Sequence, residues 1–410
     1  SLVVGPAIAH HGWAPTAYDA LAGATVAGHV IECGTQATGG NFSGFLSLPR
    51  DGRPLGFPVA EIAADGSCVI TKHPDTGGAV TVDTVSAQLF YEIQGERYLG
   101  PDVTTRLDSI RLEQQGPDRV AITGVTGEPP PERLKVCINE LGGFRNQMEF
   151  VLTGLDIDAK AAWIQAQLGP ALTAASVTWT RTDTGRPGAD TEEGASCLLR
   201  CSVTDPAPDP VGKAFTGPAI ELALGSYPGF TMTSPPAPAT PYGVYRAAYV
   251  DRDVVAPTVV MPDGGRRSIT DSGPSGAAAS SAPPVASPTP ATAGTTTAAS
   301  LGTFLHARSG DKGGDANLGL WVTHDDPTRW EARVAWLLGW MTPERVRALV
   351  PESADLDIDV VALPNLGGVN VVLHGLLGLG VAASSRFDPQ AKGLGEWVRS
   401  RVVDLPEELV

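Results

Sequence analysis

Residues 272–300 read SGPSGAAASSAPPVASPTPATAGTTTAAS and contain no charged side chain. Ala, Ser, Thr, Pro and Gly in this proportion cannot bury enough apolar area to offset an ordering cost on the order of 1–2 kcal/mol per backbone residue. The stretch therefore predicts a flexible linker, set with its flanks at 256–300, and forces the chain into separate bodies. A core domain is expected over 1–255, with a sub-boundary near 115, and a compact C-terminal domain over 301–410. The chain has the material for both: 410 residues, 42% hydrophobic and 18% charged.

A formal charge of −16 excludes nucleic acid and anionic membrane as main partners, because binding phosphate backbones needs a basic footprint. A local basic pocket for one small phosphate or carboxylate remains compatible with it. The longest apolar run, VVALPNLGGVNVVLHGLLGLGVAA, is broken by Pro364, Asn365, Asn370 and His374, so no membrane span is expected. An odd cysteine count, five, points to a reducing compartment, and the expectation is a soluble cytoplasmic protein. The opening SLVVGPAIAHHGW enters an apolar pattern without an initiator Met and reads as the middle of a domain, with an N-terminal portion absent.

Periodicity supplies the elements. In TAYDALAGATVAGHVIECG, Leu21, Ala24, Gly28 and Ile31 recur at helical spacing, with Gly34 as a stop and enough Ala and Gly for close approach of a neighbour. TVDTVSAQLFYEI predicts a helix with Asp83 as N-cap and Val85, Leu89 and Ile93 on one face. DRVAITGV, RLKVCINE, SVTWTR and SCLLRCSV predict strands, and DAKAAWIQAQL a helix with Ala161, Ile164 and Leu168 inward. The C-terminal domain is expected as strand–strand–helix–strand–strand–helix, one antiparallel sheet with helices on one face. Asp388 is expected to cap its last helix. The fold class is α+β throughout, with an α/β-type first region truncated at its N-terminus.

Candidate sites lie on glycine-rich loops. In HVIECGTQATGGNFSG, His29, Glu32 and Cys33 share one helical face, an acid–base pair beside a loop where Gly39, Gly40 and Asn41 would bind a ligand. The alternative is a helix end with a buried His–Glu contact. In VITKHPDTGGAV, Lys72 stands at a strand end beside Thr76, Gly77 and Gly78, placed for a phosphate or carboxylate or simply solvated next to a hairpin turn. In LHARSGDKGGDANLGLWV, positive φ explains Gly310, Gly313 and Gly314, but not the collection of Arg308, Asp311, Lys312, Asp315 and Asn317. Either these charges close a salt-bridged cap, or they present Arg308 and Lys312 to an anion. Exposed ion pairs contribute only about 0–1 kcal/mol, a weak reason to assemble four charges.

Cys197 and Cys201 alternate onto one strand face about 13 Å apart, too far to share a metal or a disulfide. The scattered histidines form no HxxxH or HExxH pattern, so no metal site is expected. There is no GxSxG elbow and no Ser/His/Asp set in a recognisable context, which speaks against a hydrolase. His374 reads as a satisfied core histidine.

LAGATVAGHVIECGTQATGGNFSGF, GFPVAEIAADGSCVITKHPDTGGAVTVDTVSAQLFYEI and SYPGF with PYGVY resemble the acyclic terpene utilization AtuA family. HARSGDKGGDANLGLWV, LPNLGGVNVVLHGLLGLGV and DPQAKGLGEW resemble the ferredoxin-fold domain at the C-terminus of many members. The resemblance implies a part in breaking down acyclic terpenes through acyl-CoA intermediates, and leaves reaction and cofactor open. Two expectations follow. One is lyase- or hydratase-like chemistry on an acyl-CoA or carboxylate, by hydration or proton abstraction. His29 or Glu32 would be its acid–base group, with Lys72, Arg308 and Lys312 holding anionic groups. The other is a non-catalytic assembly subunit of an acyl-CoA-processing enzyme. A homo-oligomer is compatible with either.

Overall fold

The computed structural model describes residues 3–186, 188–269 and 294–410. Most of the expected linker thus lies outside the described residues. Of its flanks, Thr258–Val260 pairs with Arg266–Ser268 as a small hairpin, and Thr296–Ser300 is a strand paired with Val402–Pro406 near the chain's end. No described helix is long and apolar enough to cross a membrane.

Packing divides the chain differently from composition. One compact unit comprises 1–137, 247–381 and 388–410, and the other 138–246 and 382–387. Residues 1–137 of the first region and all of the C-terminal domain but 382–387 thus belong to a single unit. The reason is visible in the core, where Val26, Val30, Ile70, Val85 and Leu89 form one apolar cluster with Trp321, Leu363 and Leu366.

Within this unit, the helix Tyr18–Glu32 is buried over nearly its whole middle, from Ala20 to Gly28. Its small residues permit that: a Cβ on Gly23 would stand 2.1 Å from the Gly66 carbonyl oxygen. Nearby is a four-stranded antiparallel sheet in the order Pro58–Ile62, Cys68–Lys72, Arg119–Thr123, Arg111–Gly116.

The helix Val82–Leu89 is capped not by Asp83 but by Thr81, in a reciprocal capping box with Thr84. Asp83, two residues later, is left to bond elsewhere. The helix ends at Leu89, before Ile93, and is buried from Thr84 to Leu89 rather than along one stripe. Such all-round burial marks a helix set between two layers.

The C-terminal sheet is antiparallel in the order Leu305–Lys312, Asp315–Val322, Gly368–Leu373, Ile358–Leu363. Leu305, Ala307, Leu318, Leu320, Val369 and Val371 pack on Leu337 of the helix Trp330–Trp340 and on Leu394 and Val398 of the helix Leu394–Ser400. That last helix starts six residues after Asp388, whose carboxylate instead accepts the Lys392 and Gly393 amides of the preceding turn. On the opposite sheet face, glycines open gaps between the side chains. A Cβ on Gly319 would lie 2.4 Å from Phe90 Cβ, and one on Gly310 would lie 2.6 Å from the Tyr91 ring. Only Gly313 of the three hairpin glycines takes positive φ, at 67°. Gly310 is required by the approach of Tyr91, not by the turn.

The second unit is also α+β. Its long strand Arg133–Thr153 pairs with Ser196–Asp205, Thr231–Met232 and Thr240–Asp251, and Ser176–Arg181 flanks Ser196–Asp205. Cys197 and Cys201 are buried in its core with Phe150, Ile164, Leu168 and Phe215. All the cysteines are free.

Gly319→Val should destabilise the first unit by about 1–3 kcal/mol, because the overpacked side chain meets Phe90 Cβ and cannot be relieved by a rotamer change. Gly217→Ala, in a helix with open space around the position, should be neutral or stabilising. Denaturant midpoints compare the two.

Candidate functional site

Alternation along Leu305–Lys312 sends His306, Arg308, Gly310 and Lys312 to the face that meets the first region. Their register partners are Trp321, Gly319, Asn317 and Asp315. Two polar groups result, one at each end of this row.

At the Arg308 end, the guanidinium lies over the Tyr91 ring, with Cζ 4.4 Å from its centroid. Nη2 donates to Gln36 Oε1 at 2.5 Å and Nη1 to the Asn41 carbonyl at 3.1 Å. Arg308 is only 7% exposed, and no carboxylate pairs with it among the described residues. Burial pulls its pKa down from the ordinary value, opposed chiefly by Tyr91 and Cys33. A buried cation without a counter-ion is costly unless a ligand supplies the charge.

Around it, Lys312 pairs with Glu92 at 2.7 Å, and Lys392 pairs with Glu92 at 3.4 Å and Asp311 at 3.5 Å while donating to the Tyr91 hydroxyl. Glu92 adopts positive φ, 57°, held there by Asn317, whose Oδ1 accepts the Glu92 amide at 2.7 Å. Asn317 also donates to Asn370. Burial works to raise Glu92, but hydrogen bonds from Lys312 and Tyr91 outweigh it, so its carboxyl titrates below the ordinary range.

The acid–base candidates adjoin this group. Gln36 belongs to the 3-10 turn Gly34–Thr38 that follows Cys33, and the Cys33 thiol donates to Glu32 Oε2 at 2.9 Å. Burial and that hydrogen bond push the Cys33 thiol up to about 11, so it stays protonated and is no nucleophile. Burial, reinforced by the charge of Lys312, lowers His29, which is therefore neutral. His29 Nε2 and Gln88 Oε1 are both buried without a hydrogen-bond partner among the described residues. Gln88 Nε2 donates to the His29 carbonyl at 3.2 Å.

The remaining predicted residues do other work. Gly39 and Gly40 donate their amides to the Gln36 and Thr35 carbonyls, so these donors close the turn and are not free to polarise a ligand. Asn41 contributes only its carbonyl, to Arg308. Lys72 is not in the group: its ammonium donates to the Thr76 carbonyl at 2.9 Å and pairs with Asp118 at 3.4 Å. Thr76 bonds the His73 carbonyl, while Gly77 and Gly78 abut the backbone of Arg53 and Thr38. Lys72, Thr76, Gly77 and Gly78 thus build a turn. Asp315 faces His374 and the Gly375 amide rather than Arg308.

At the other end of the row, the His306 ring packs on Phe42 and Trp321, with centroids 4.6 and 5.5 Å away. Its Nδ1 is 2.9 Å from Ser43 Oγ, and its Nε2 is 3.8 Å from Asp83 Oδ2. Asp83 Oδ1 accepts Trp321 Nε1 at 3.2 Å and lies 2.7 Å from His324 Nδ1. Burial would raise Asp83, but His324 more than reverses that and holds it low.

Sequence reasoning missed Gln36, Gln88, Tyr91, Glu92, Lys392, Ser43 and Asp83 as site residues. A glutamine at helical spacing among apolar residues was a signal for Gln88. Nothing local marks Glu92 or Lys392, which meet across hundreds of residues. No group of side chains that could hold a metal is present among the described residues.

His374 is not a core histidine but sits half exposed between Asp359, 2.9 Å from Nε2, and Asp315, 3.3 Å from Nδ1. The Asp359 hydrogen bond, against some burial, holds it above its ordinary 6.5. A raised folded-state pKa means that this pairing stabilises the fold fully below about pH 6.5 and is lost as pH rises through the folded value. An NMR titration should place His374 above 6.5, with Asp359→Asn moving it back toward that value.

The sequence profile described as acyclic terpene utilisation family protein AtuA matches residues 1–261, and that of the AtuA ferredoxin-like domain matches residues 299–404. No curated protein and no solved structure matches the chain.

Proposed function

Because the chain belongs to the acyclic terpene utilisation family AtuA, which supports a role in terpene catabolism, we propose that it binds a small carboxylic acid or its acyl thioester at Arg308 and carries out acid–base chemistry there. The observation that carries this reading is Arg308 itself. It is a buried, fork-shaped cation resting on an aromatic ring, bonded only to neutral oxygens among the described residues. That geometry suits a carboxylate or a carbonyl oxygen on its way to an enolate.

Glu32, exposed at the end of its helix and fixed by the Cys33 thiol, is the general base of this reading. In the hydration direction it takes a proton from water as the water oxygen bonds to the β-carbon of an unsaturated acyl group. The double-bond electrons move to the carbonyl oxygen facing Arg308. The enolate then recovers the proton from Glu32 at its α-carbon, so that one water is added in all. Neutral His29 and Gln88 offer buried polar atoms to this surrounding. The assembly-subunit alternative gains no support from the C-terminal sheet, because Phe90 and Tyr91 already occupy its open face.

A thermal-shift panel of free acids and acyl-CoAs tests the reading. A fitting ligand at a hundredfold excess over Kd should stabilise the protein by about 2.7 kcal/mol. Arg308→Gln should remove that response, and Glu32→Gln should keep it while lowering turnover by about 10²–10⁴-fold. Ligand responses unaffected by Arg308→Gln would refute the assignment.

A further inference from the structure

We propose that Ser43, His306 and Asp83 form a hydroxyl–imidazole–carboxylate set that cleaves an ester or thioester by nucleophilic attack of Ser43. The three residues come from three separate stretches of chain, and no local pattern announces them. Ser43 Oγ and His306 Nδ1 are 2.9 Å apart, within hydrogen-bonding distance. The Ala307 amide also donates to Ser43 Oγ, at 3.2 Å, which leaves the serine proton available to Nδ1. Asp83 Oδ2, which accepts the His324 amide at 3.2 Å, stands 3.8 Å from Nε2, beyond hydrogen-bond distance but close enough for its charge to stabilise the imidazolium formed in the reaction.

A second observation supports the arrangement. A Cβ on Gly44 would stand 2.6 Å from His306 Cε1, so glycine beside the serine lets the ring reach it. Ser43 keeps partial exposure, whereas His306 is buried. Burial lowers His306 to about 4, so it is a neutral proton acceptor at neutral pH. The charged and titratable groups acting on it are Asp83, Arg399, Asp325 and His324.

In the reaction, the Ser43 hydroxyl proton passes to Nδ1 as Oγ bonds to the acyl carbonyl carbon. Arg399, paired with Glu396 at 2.8 Å, also donates to the Ser43 carbonyl at 3.4 Å and is the cation this proposal assigns to the developing oxyanion. The bond to the leaving thiolate or alkoxide breaks, and that group takes the proton from Nδ1. Water then gives a proton to Nδ1 as its oxygen bonds to the acyl carbon; the bond to Oγ breaks, and Oγ takes that proton from Nδ1, which releases the acid and restores Ser43. Asn41, two residues before Ser43, holds Arg308 through its carbonyl, so the acid's charged end has a place close by. That placement rests on the Arg308 reading; the serine chemistry does not.

The test is covalent labelling of the full chain with a neutral fluorophosphonate, read by intact mass and peptide mapping. One adduct on Ser43 is expected, absent in Ser43→Ala and formed at least about 100-fold more slowly in His306→Gln. Asp83→Asn is expected to slow it about tenfold or more, as for a positioning residue. In the wild type, which needs no altered junction, the labelling rate should be flat around neutral pH and fall only below about pH 5, as His306 takes up a proton. No adduct on Ser43 in the folded protein, or labelling indifferent to that pH drop, overturns the proposal. Neither result bears on ligand binding at Arg308.

Discussion

The contact on which the first unit depends is the seating of Phe90 and Tyr91 in the glycine gaps of the C-terminal sheet. Phe90 stacks on Trp321, 5.4 Å between centroids and 6° from parallel, over Gly319. Tyr91 lies over Gly310. An antiparallel sheet with helices on one face would ordinarily leave the other to solvent. Here glycines at positions 310 and 319 leave a depression, and the end of the helix Val82–Leu89 fills it. Burying large aromatic surface in this way joins two distant stretches in one core.

The polar site is a consequence of that seating. Once Tyr91 is held over Gly310, its ring supports both Arg308 and Lys392. Glu92, next in the chain, is turned into positive φ by Asn317 so that its carboxylate reaches Lys312 and Lys392. Strain at a non-glycine residue persists only where the surroundings over-determine it, and here Asn317, Lys312 and Lys392 do so. The same face, two residues along, sets His306 against Ser43 and Asp83. Apolar docking supplies the energy, and polar residues at the edges take their positions from it.

The charges in the hairpin around Arg308 are neither a plain cap nor a plain anion cradle. Lys312 and Asp311 are neutralised across the junction by Glu92 and Lys392, and Asp315 serves the turn at Gly375. Arg308 alone keeps an unmatched charge among the described residues. Burial removes the solvent screening that would otherwise make that charge unremarkable.

The local pattern of the chain was enough for the α+β class, the small-residue helix Tyr18–Glu32, the antiparallel C-terminal sheet with helices on one face, and the burial of Cys197 and Cys201. Each follows from hydrophobic period and residue size, which act over a few neighbours. Tertiary structure alone decided which Gly-rich loops matter: the loop of Gly39 and Gly40 closes on itself, and the one beside Lys72 is a turn. It also decided why Gly310 is a glycine, and that Thr81 rather than Asp83 caps its helix, freeing Asp83 for His324 and His306. The partners of Arg308, Glu92 and His306 come from stretches hundreds of residues apart. Their meeting depends on how two apolar surfaces fit together, a property that no short window of sequence contains.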